Sequence, residues 1–157
     1  IDPNKVGVMG FSAGGHLAAT AVTKFTSAKN RPDFGILIYP VISMKDGVTH
    51  EGSRWNLLGQ EWPLHSEAWS LENCVSEQTP TCFIALSDDD GAVPPANSLL
   101  FYNALKERGV AAEMHIYPQG GHGWGFNGEE FALHHDNFLD NLARWLKGLQ
   151  SKAMGGN

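Results

Sequence analysis

The stretch Val6–Ala19, VGVMGFSAGGHLAA, decides the fold of this chain. The apolar run Val6–Met9 is short enough for a buried strand, and the residues after Ser12 repeat apolar side chains every three or four positions, as helices do. Between them, Gly10–Gly14 fits the pattern G-x-S-x-G. A strand, a tight turn and a helix in this order predict a nucleophile elbow, with the Ser12 hydroxyl exposed at the start of the helix. We expect both glycines of the pattern to be needed, because they lack Cβ atoms that would crowd the turn.

Strands and helices alternate along the rest of the chain. Three further strands are predicted, at 34–41, 81–86 and 112–117, and helices are predicted to about 24, at 94–108 and at about 129–149. This alternation predicts the α/β class, with a parallel sheet of about four strands and helices on both faces. We expect one partial domain over 1–157, with an irregular insertion at about 43–79.

Charge and composition exclude several classes of partner. The chain has a net charge of −6 and no basic stretch, so we expect no nucleic-acid partner. No apolar run is long enough to span a membrane, so we expect no membrane partner. The two cysteines, Cys74 and Cys82, lack the spacing of a metal site and are expected to be small buried residues, although a disulfide between them stays open.

Acidic residues and a histidine follow the last two predicted strands. Asp88, Asp89 and Asp90 come directly after the third strand, and His122 lies in the glycine-rich loop after the fourth. The carboxyl ends of parallel strands share one edge of a sheet, so these residues should meet Ser12 there. The chain order Ser, Asp, His is that of one type of catalytic triad.

The chemistry of a triad requires these three residue types. A serine hydroxyl is a weak nucleophile until a base takes its proton, and histidine can act as a base near neutral pH. A buried carboxylate is needed to orient the imidazole. By themselves, the aspartates could be a solvated acidic turn and His122 a polar loop residue. Together with the elbow they predict a Ser12, Asp and His122 triad that needs no cofactor and no metal.

Five segments resemble one family of enzymes. They are Gly10–Ala18, Tyr39–Ser43, Gly52–Gly59, Asp89–Ser98 and Tyr117–Gly125. Together they resemble the acetyl-xylan-esterase-like serine esterases, which belong to the α/β-hydrolase superfamily and lie near its prolyl-oligopeptidase branch. The resemblance covers nearly the whole chain.

The resemblance implies a function and a choice among the aspartates. It implies removal of acetyl or other small acyl groups from plant polysaccharides such as xylan, or from their oligosaccharides. In the family two residues separate the acid from a Val-Pro pair, which selects Asp90, with Asp89 as the alternative. Two other functions stay open: a serine peptidase of prolyl-oligopeptidase type, and a non-catalytic segment that acts as a binding module.

The pattern also departs from that of a whole α/β-hydrolase domain. Such domains carry strands and an oxyanion loop before the elbow, so we expect this chain to be the C-terminal half. The N–H of Ala13 can serve as one oxyanion donor, and we expect Trp124 and Phe126, which flank His122, to line the substrate pocket. Because the first strand would be an exposed edge, we expect a homo-oligomer or association with the N-terminal half.

Overall fold

The chain folds around one parallel four-stranded sheet. A computed structural model describes residues 2–126 and 132–154. The strands are β1 (Gly7–Phe11), β2 (Phe34–Ile38), β3 (Thr81–Ser87) and β4 (Ala112–Tyr117), and they lie side by side in chain order. Every neighbouring pair is parallel, as the sequence predicted. Three strands differ from prediction at their ends: β1 runs from Gly7 to Phe11 rather than over 6–9, β2 ends at Ile38 rather than at 41, and β3 ends at Ser87 rather than at 86.

In the described residues, five α-helices connect and flank these strands. They are α1 (Ala13–Thr23), α2 (Glu51–Leu58), α3 (Trp62–Trp69), α4 (Ala96–Glu107) and α5 (Ala132–Met154). Two short 3₁₀ helices occupy Gly59–Glu61 and Leu71–Cys74. The predicted start of the last helix, at about 129, lies outside the described residues.

Helices cover both faces of the sheet. On β2, a Cβ atom at Gly35 would contact Val22 of α1 at 3.1 Å, so this face meets α1. The neighbouring Phe34 points to the opposite face, because side chains alternate along a strand. There its ring meets Trp145 of α5 at 5.8 Å, and Trp145 also meets Phe83 of β3 at 5.6 Å.

The core is built from the sheet and both helical layers. Phe83 of β3, Phe101 of α4 and Phe138 of α5 are fully buried. Each side chain of this kind contributes about 1.5–3 kcal/mol when it is removed from water. Cys82 is also in the core, whereas Cys74 is only half-buried; both thiols are free, so the structure contains no bond between them.

The insertion predicted at about 43–79 consists of α2, α3 and the two 3₁₀ helices. Asn97 of α4 holds its start, since its Oδ1 accepts from the N–H groups of Ile42 and Ser43, both at 3.0 Å. A small second cluster of Val41, Met44 and Val93 lies beneath it.

The tryptophans of the insertion have three different surroundings. Trp69 packs against the second cluster, Trp62 lies under the Arg54 guanidinium at 3.7 Å, and Trp55 is 55% exposed. Trp69 therefore belongs to the small core of the insertion, while Trp55 presents its ring to the surface. Within the described ranges, no helix is both long and apolar enough to cross a membrane.

Candidate active site

Ser12 lies in the turn between β1 and α1. Its backbone has φ 53° and ψ −123°. Such a conformation costs a residue with a Cβ atom about 1–3 kcal/mol. Main-chain hydrogen bonds maintain it, because the Ser12 N–H donates to Ile38 O at 3.1 Å. Its carbonyl accepts from the N–H groups of Gly15 at 2.9 Å and Val41 at 3.0 Å.

The glycines of this turn differ in what they do. A Cβ atom at Gly10 would overlap the carbonyl group of Gly14, so Gly10 is required. Outside its chain neighbours and its own helix backbone, a Cβ atom at Gly14 would meet no described atom within 4 Å, which corrects the expectation that both glycines of the pattern are sterically needed. The second crowded position is Gly15, where a Cβ atom would lie 2.6 Å from Cβ of Pro40.

Asp90 follows the end of β3 and is buried, with 1% of its side chain exposed. Its Oδ1 atom accepts from the N–H groups of Ala92 and Val93, both at 2.9 Å. Its Oδ2 atom lies 2.7 Å from Nδ1 of His122. The carboxylate is therefore held in place by main-chain donors on one oxygen and offers the other to the imidazole.

His122 connects the other two side chains. Its Nε2 atom lies 2.8 Å from Oγ of Ser12, while Nδ1 faces Asp90. Because a carboxylate can only accept, we assign the imidazole proton to Nδ1, which leaves Nε2 to accept from the serine hydroxyl. This arrangement can take a proton from Ser12 when its oxygen attacks an electrophile.

The other two predicted aspartates have different surroundings. Asp89 Oδ1 accepts from the N–H of Gly121 at 2.8 Å, and Oδ2 accepts from Gly120 at 3.3 Å. Asp88 is exposed, and its own N–H donates to Tyr117 O at 2.8 Å. The structure thus places Asp90, and not its neighbours, against His122.

Tyr39 belongs to the same edge of the sheet and was missed in the sequence. It directly follows β2 and has φ 37°, in the left-handed region. Its ring lies 4.8 Å from that of His122, and its hydroxyl accepts from the N–H of Gly125 at 2.8 Å. Burial raises the pKa of Tyr39, so its hydroxyl keeps its proton at neutral pH. A Tyr-Pro pair at the end of a predicted strand was the available signal.

Trp124 and Phe126, predicted to line a substrate pocket, differ in exposure. Trp124 is 4% exposed, donates from Nε1 to Oγ of Ser87 at 2.9 Å, and packs edge-on against Phe138. Its ring is part of the core beneath the loop, so it offers little surface to a substrate. Phe126 is 42% exposed and meets the ring of Phe11 at 5.7 Å.

Ala13 is the first residue of α1 and is exposed. Its N–H has no acceptor within the helix, and the helix dipole favours negative charge at this end. This N–H can therefore donate to an oxygen that becomes negative beside Ser12.

A groove of about 430 Å³ runs from Ala13 along α1 towards the insertion. Leu17 and Leu57, which are exposed, form part of its wall, together with Trp69. His16 also lines it and is buried, with Nε2 hydrogen-bonded to Trp69 O at 2.9 Å. Burial lowers the pKa of His16, which favours its neutral form.

In the described part of the chain, no three His, Cys, Asp or Glu side chains are grouped to hold a metal ion.

The sequence matches one protein family over most of its length. Residues 1–148 match the prolyl oligopeptidase family. The chain belongs to this family. The segments around Ser12, Asp90 and His122 resemble esterases that lie near the prolyl-oligopeptidase branch. The match confirms that placement.

Two curated relatives and one solved structure are similar to this family member. It is 42% identical over 154 residues to an acetylxylan esterase of Xylanibacter ruminicola. The aligned region covers 95% of this chain and 32% of the relative. It is 38% identical over 143 residues to endo-1,4-beta-xylanase B of Butyrivibrio fibrisolvens. That aligned region covers 83% of this chain and 22% of the relative. The chain therefore spans about a third or less of these relatives.

The solved structure is an acetyl ester-xyloside bifunctional hydrolase from Caldicellulosiruptor lactoaceticus. It superposes with a TM-score of 0.85 at 40% identity, over 96% of this chain and 58% of that one. The similar proteins are hydrolases, and the parallel sheet with its helices is that of α/β-hydrolase esterases.

Proposed function

We propose that this chain carries the catalytic residues of a serine carboxylesterase that removes acetyl or other small acyl groups from plant polysaccharides such as xylan, or from their oligosaccharides. One observation carries the proposal. The His122 imidazole lies within hydrogen-bond distance of both Ser12 and Asp90, at 2.8 and 2.7 Å, in the order that a serine hydrolase requires.

Acylation is the first half of the proposed reaction. Ser12 Oγ attacks the ester carbonyl carbon while its proton moves to Nε2 of His122. The carbonyl oxygen becomes negative and accepts from the N–H of Ala13. The carbon–oxygen bond to the sugar then breaks, and His122 returns the proton to the leaving sugar oxygen. Asp90 keeps Nδ1 protonated and stabilises the imidazolium throughout.

Deacylation releases the acid and restores the enzyme. A water molecule attacks the acyl-serine carbonyl and gives its proton to His122. The intermediate collapses, the proton returns to Ser12 Oγ, and a free carboxylic acid leaves. No cofactor takes part in either half.

The substrate class is supported by the similar proteins. The relative from Xylanibacter ruminicola is an acetylxylan esterase, and the Caldicellulosiruptor structure is an acetyl ester-xyloside hydrolase. The exposed Trp55 and the groove beside Ala13 are surfaces that a sugar chain can contact. Phe126, at the exposed end of the histidine loop, is proposed as a contact for the substrate.

Two other enzyme classes are less well supported. A peptidase with the same three residues is suggested by the family as a whole. Hydrolysis of glycosides, suggested by the name of the Butyrivibrio relative, needs two carboxyl groups that flank one bond. Here Asp90 is bonded to His122 and to two amides, and Asp89 is bonded to two more.

Labelling with a fluorophosphonate tests the proposal in the natural protein. We expect one label, which mass mapping places on Ser12 and which Ser12→Ala removes. Acetate release from acetylated xylan should exceed cleavage of prolyl peptides. A labelled protein with the opposite preference would support the peptidase, and a folded protein without label would support the binding module.

We also propose that β1 pairs with a further strand, either from the N-terminal half of the natural protein or from a second copy. In the described sheet, β1 hydrogen-bonds to β2 on one side, which leaves its other edge without a strand partner. Val6, which directly precedes β1, is 51% exposed. Sedimentation of the isolated chain should show association, and a stable monomer would count against it.

A further inference from the structure

The loop that carries His122 lacks support from its own main chain. It connects β4 to α5, and its described part contains four glycines with positive φ, at 120, 121, 123 and 125. Such residues restrict the chain little. Of the main-chain hydrogen bonds between described residues outside helices and strands, none involves residues 118–126. Something other than the backbone must therefore hold His122 between Ser12 and Asp90.

Asp89 holds the loop on the N-terminal side of His122. Its two carboxylate oxygens accept from the two consecutive N–H groups that precede the histidine, those of Gly120 and Gly121. Asp89 also adjoins Asp90, which binds the imidazole itself. One turn after β3 therefore fixes both the side chain of His122 and the main chain before it.

Tyr39 holds the loop on the C-terminal side. Its hydroxyl accepts from the N–H of Gly125, and its ring lies edge-on to His122. Its own N–H donates to Ala85 O of β3 at 2.7 Å, which anchors Tyr39 to the sheet. Beyond it, His135 of α5 donates from Nε2 to Phe126 O at 2.6 Å.

We propose that Asp89 and Tyr39 are positioning residues for the esterase reaction, because they grip the main chain on either side of His122. The inference rests on the proposed function. Neither side chain forms a hydrogen bond with Ser12 or with the imidazole; each acts through the position of the imidazole. A shift of about 1 Å in a reacting group can lower a rate about 100-fold. Loss of these hydrogen bonds should therefore affect kcat more than substrate binding.

Matched pairs of variants in the natural protein test the proposal. Asp89→Ala removes both acceptors, and Asp88→Ala removes the exposed neighbouring carboxylate. Tyr39→Phe removes one hydroxyl, and Tyr117→Phe removes another buried tyrosine hydroxyl, one that accepts from Nδ2 of Asn141 at 3.1 Å. For each we measure kcat and KM for a small acetyl ester, the labelling rate of Ser12, and the melting temperature.

We expect Asp89→Ala to lower kcat about 10- to 100-fold and Tyr39→Phe about 3- to 10-fold, with KM little changed. Asp89→Asn keeps one acceptor oxygen and should recover part of the loss. Asp88→Ala and Tyr117→Phe should keep the native kcat. Labelling rates should fall in parallel with kcat.

Three results would overturn the positioning role. The first is a native kcat in both Asp89→Ala and Tyr39→Phe, and the second is a lower melting temperature with a native kcat in the folded protein. The third is a loss of kcat in the two control variants that equals the loss in the test variants. A native protein that neither labels at Ser12 nor hydrolyses the ester would instead overturn the proposed function. The two failures are therefore distinguishable.

Discussion

The two halves of the site are held in place by different means. The turn that carries Ser12 is fixed by main-chain hydrogen bonds to Ile38, Gly15 and Val41 and by backbone crowding. The loop that carries His122 is fixed by side chains from β3 and α5, from the turn after β3, and from Tyr39 directly after β2. The Ser12 turn is therefore held by the main chain of the sheet, whereas the His122 loop is held to the sheet by side chains.

This difference separates stability from activity. Crowding the Ser12 turn should unfold the sheet around it, because its hydrogen bonds join β1 to β2. Removing a side chain that holds the His122 loop should move the imidazole and leave the sheet intact. The proposed activity can therefore be lost in two ways, by unfolding of the sheet or by displacement of the imidazole.

The largest effect is expected from Asp90, which holds the His122 imidazole. Asp90→Asn places an amide against Nδ1 and favours the wrong tautomer, so kcat should fall about 10⁴-fold in the natural protein while the melting temperature changes little. Steady-state hydrolysis of an acetyl ester measures this. Asp88→Asn is the control and should be close to native. A dominant loss in Asp89→Asn would transfer the role of the acid to Asp89.

The next effect is a loss of stability at Gly10 in the Ser12 turn. Gly10→Ala places a methyl group against the Gly14 carbonyl, which should lower the free energy of unfolding by about 3 kcal/mol. Gly14→Ala is the matched control, since its methyl group would meet no described atom within 4 Å outside its chain neighbours and its own helix backbone. Urea unfolding measures both. Equal stability of the two variants would show that crowding does not hold this turn.

A smaller effect is expected beneath the His122 loop. Ser87→Ala removes the buried acceptor of the Trp124 indole, which should cost about 1–3 kcal/mol of unfolding free energy. Ser27→Ala, at an exposed serine, should cost less than about 0.5 kcal/mol. If kcat also falls more than the fraction of folded protein explains, the indole contributes to the position of the loop. No change in stability would refute the anchor.

The smallest effect is a pH dependence of stability on the Ser12 side. Burial lowers the pKa of His16, so below about pH 6.5 the unfolded chain takes up a proton that the folded chain resists. The contribution of neutral His16 to the free energy of unfolding is complete above this pH. It is lost as the pH falls through the pKa that His16 has in the folded protein. His16→Gln should flatten this decline in urea midpoints, and His65→Gln, at an exposed histidine, should not. An unchanged decline in His16→Gln would assign it to other groups.

Much of the fold follows from local sequence patterns. The apolar runs and glycine punctuation predicted four parallel strands, because strand and helix periodicities are properties of short segments. The order of Ser12, the aspartates and His122 at successive strand ends placed them at one edge of the sheet. The resemblance selected Asp90, and the structure places that carboxylate against the imidazole.

The tertiary structure alone decided which residues support those three. Tyr39 reaches Gly125 across 86 positions of the chain, and Asp89 reaches Gly121 across 32. Gly15 is crowded by Pro40, and Trp124 is turned inwards to Ser87. Each of these contacts depends on the distance between separate strands and on the path of a loop. Such distances are set by packing of the whole sheet, and no local pattern in the sequence encodes them.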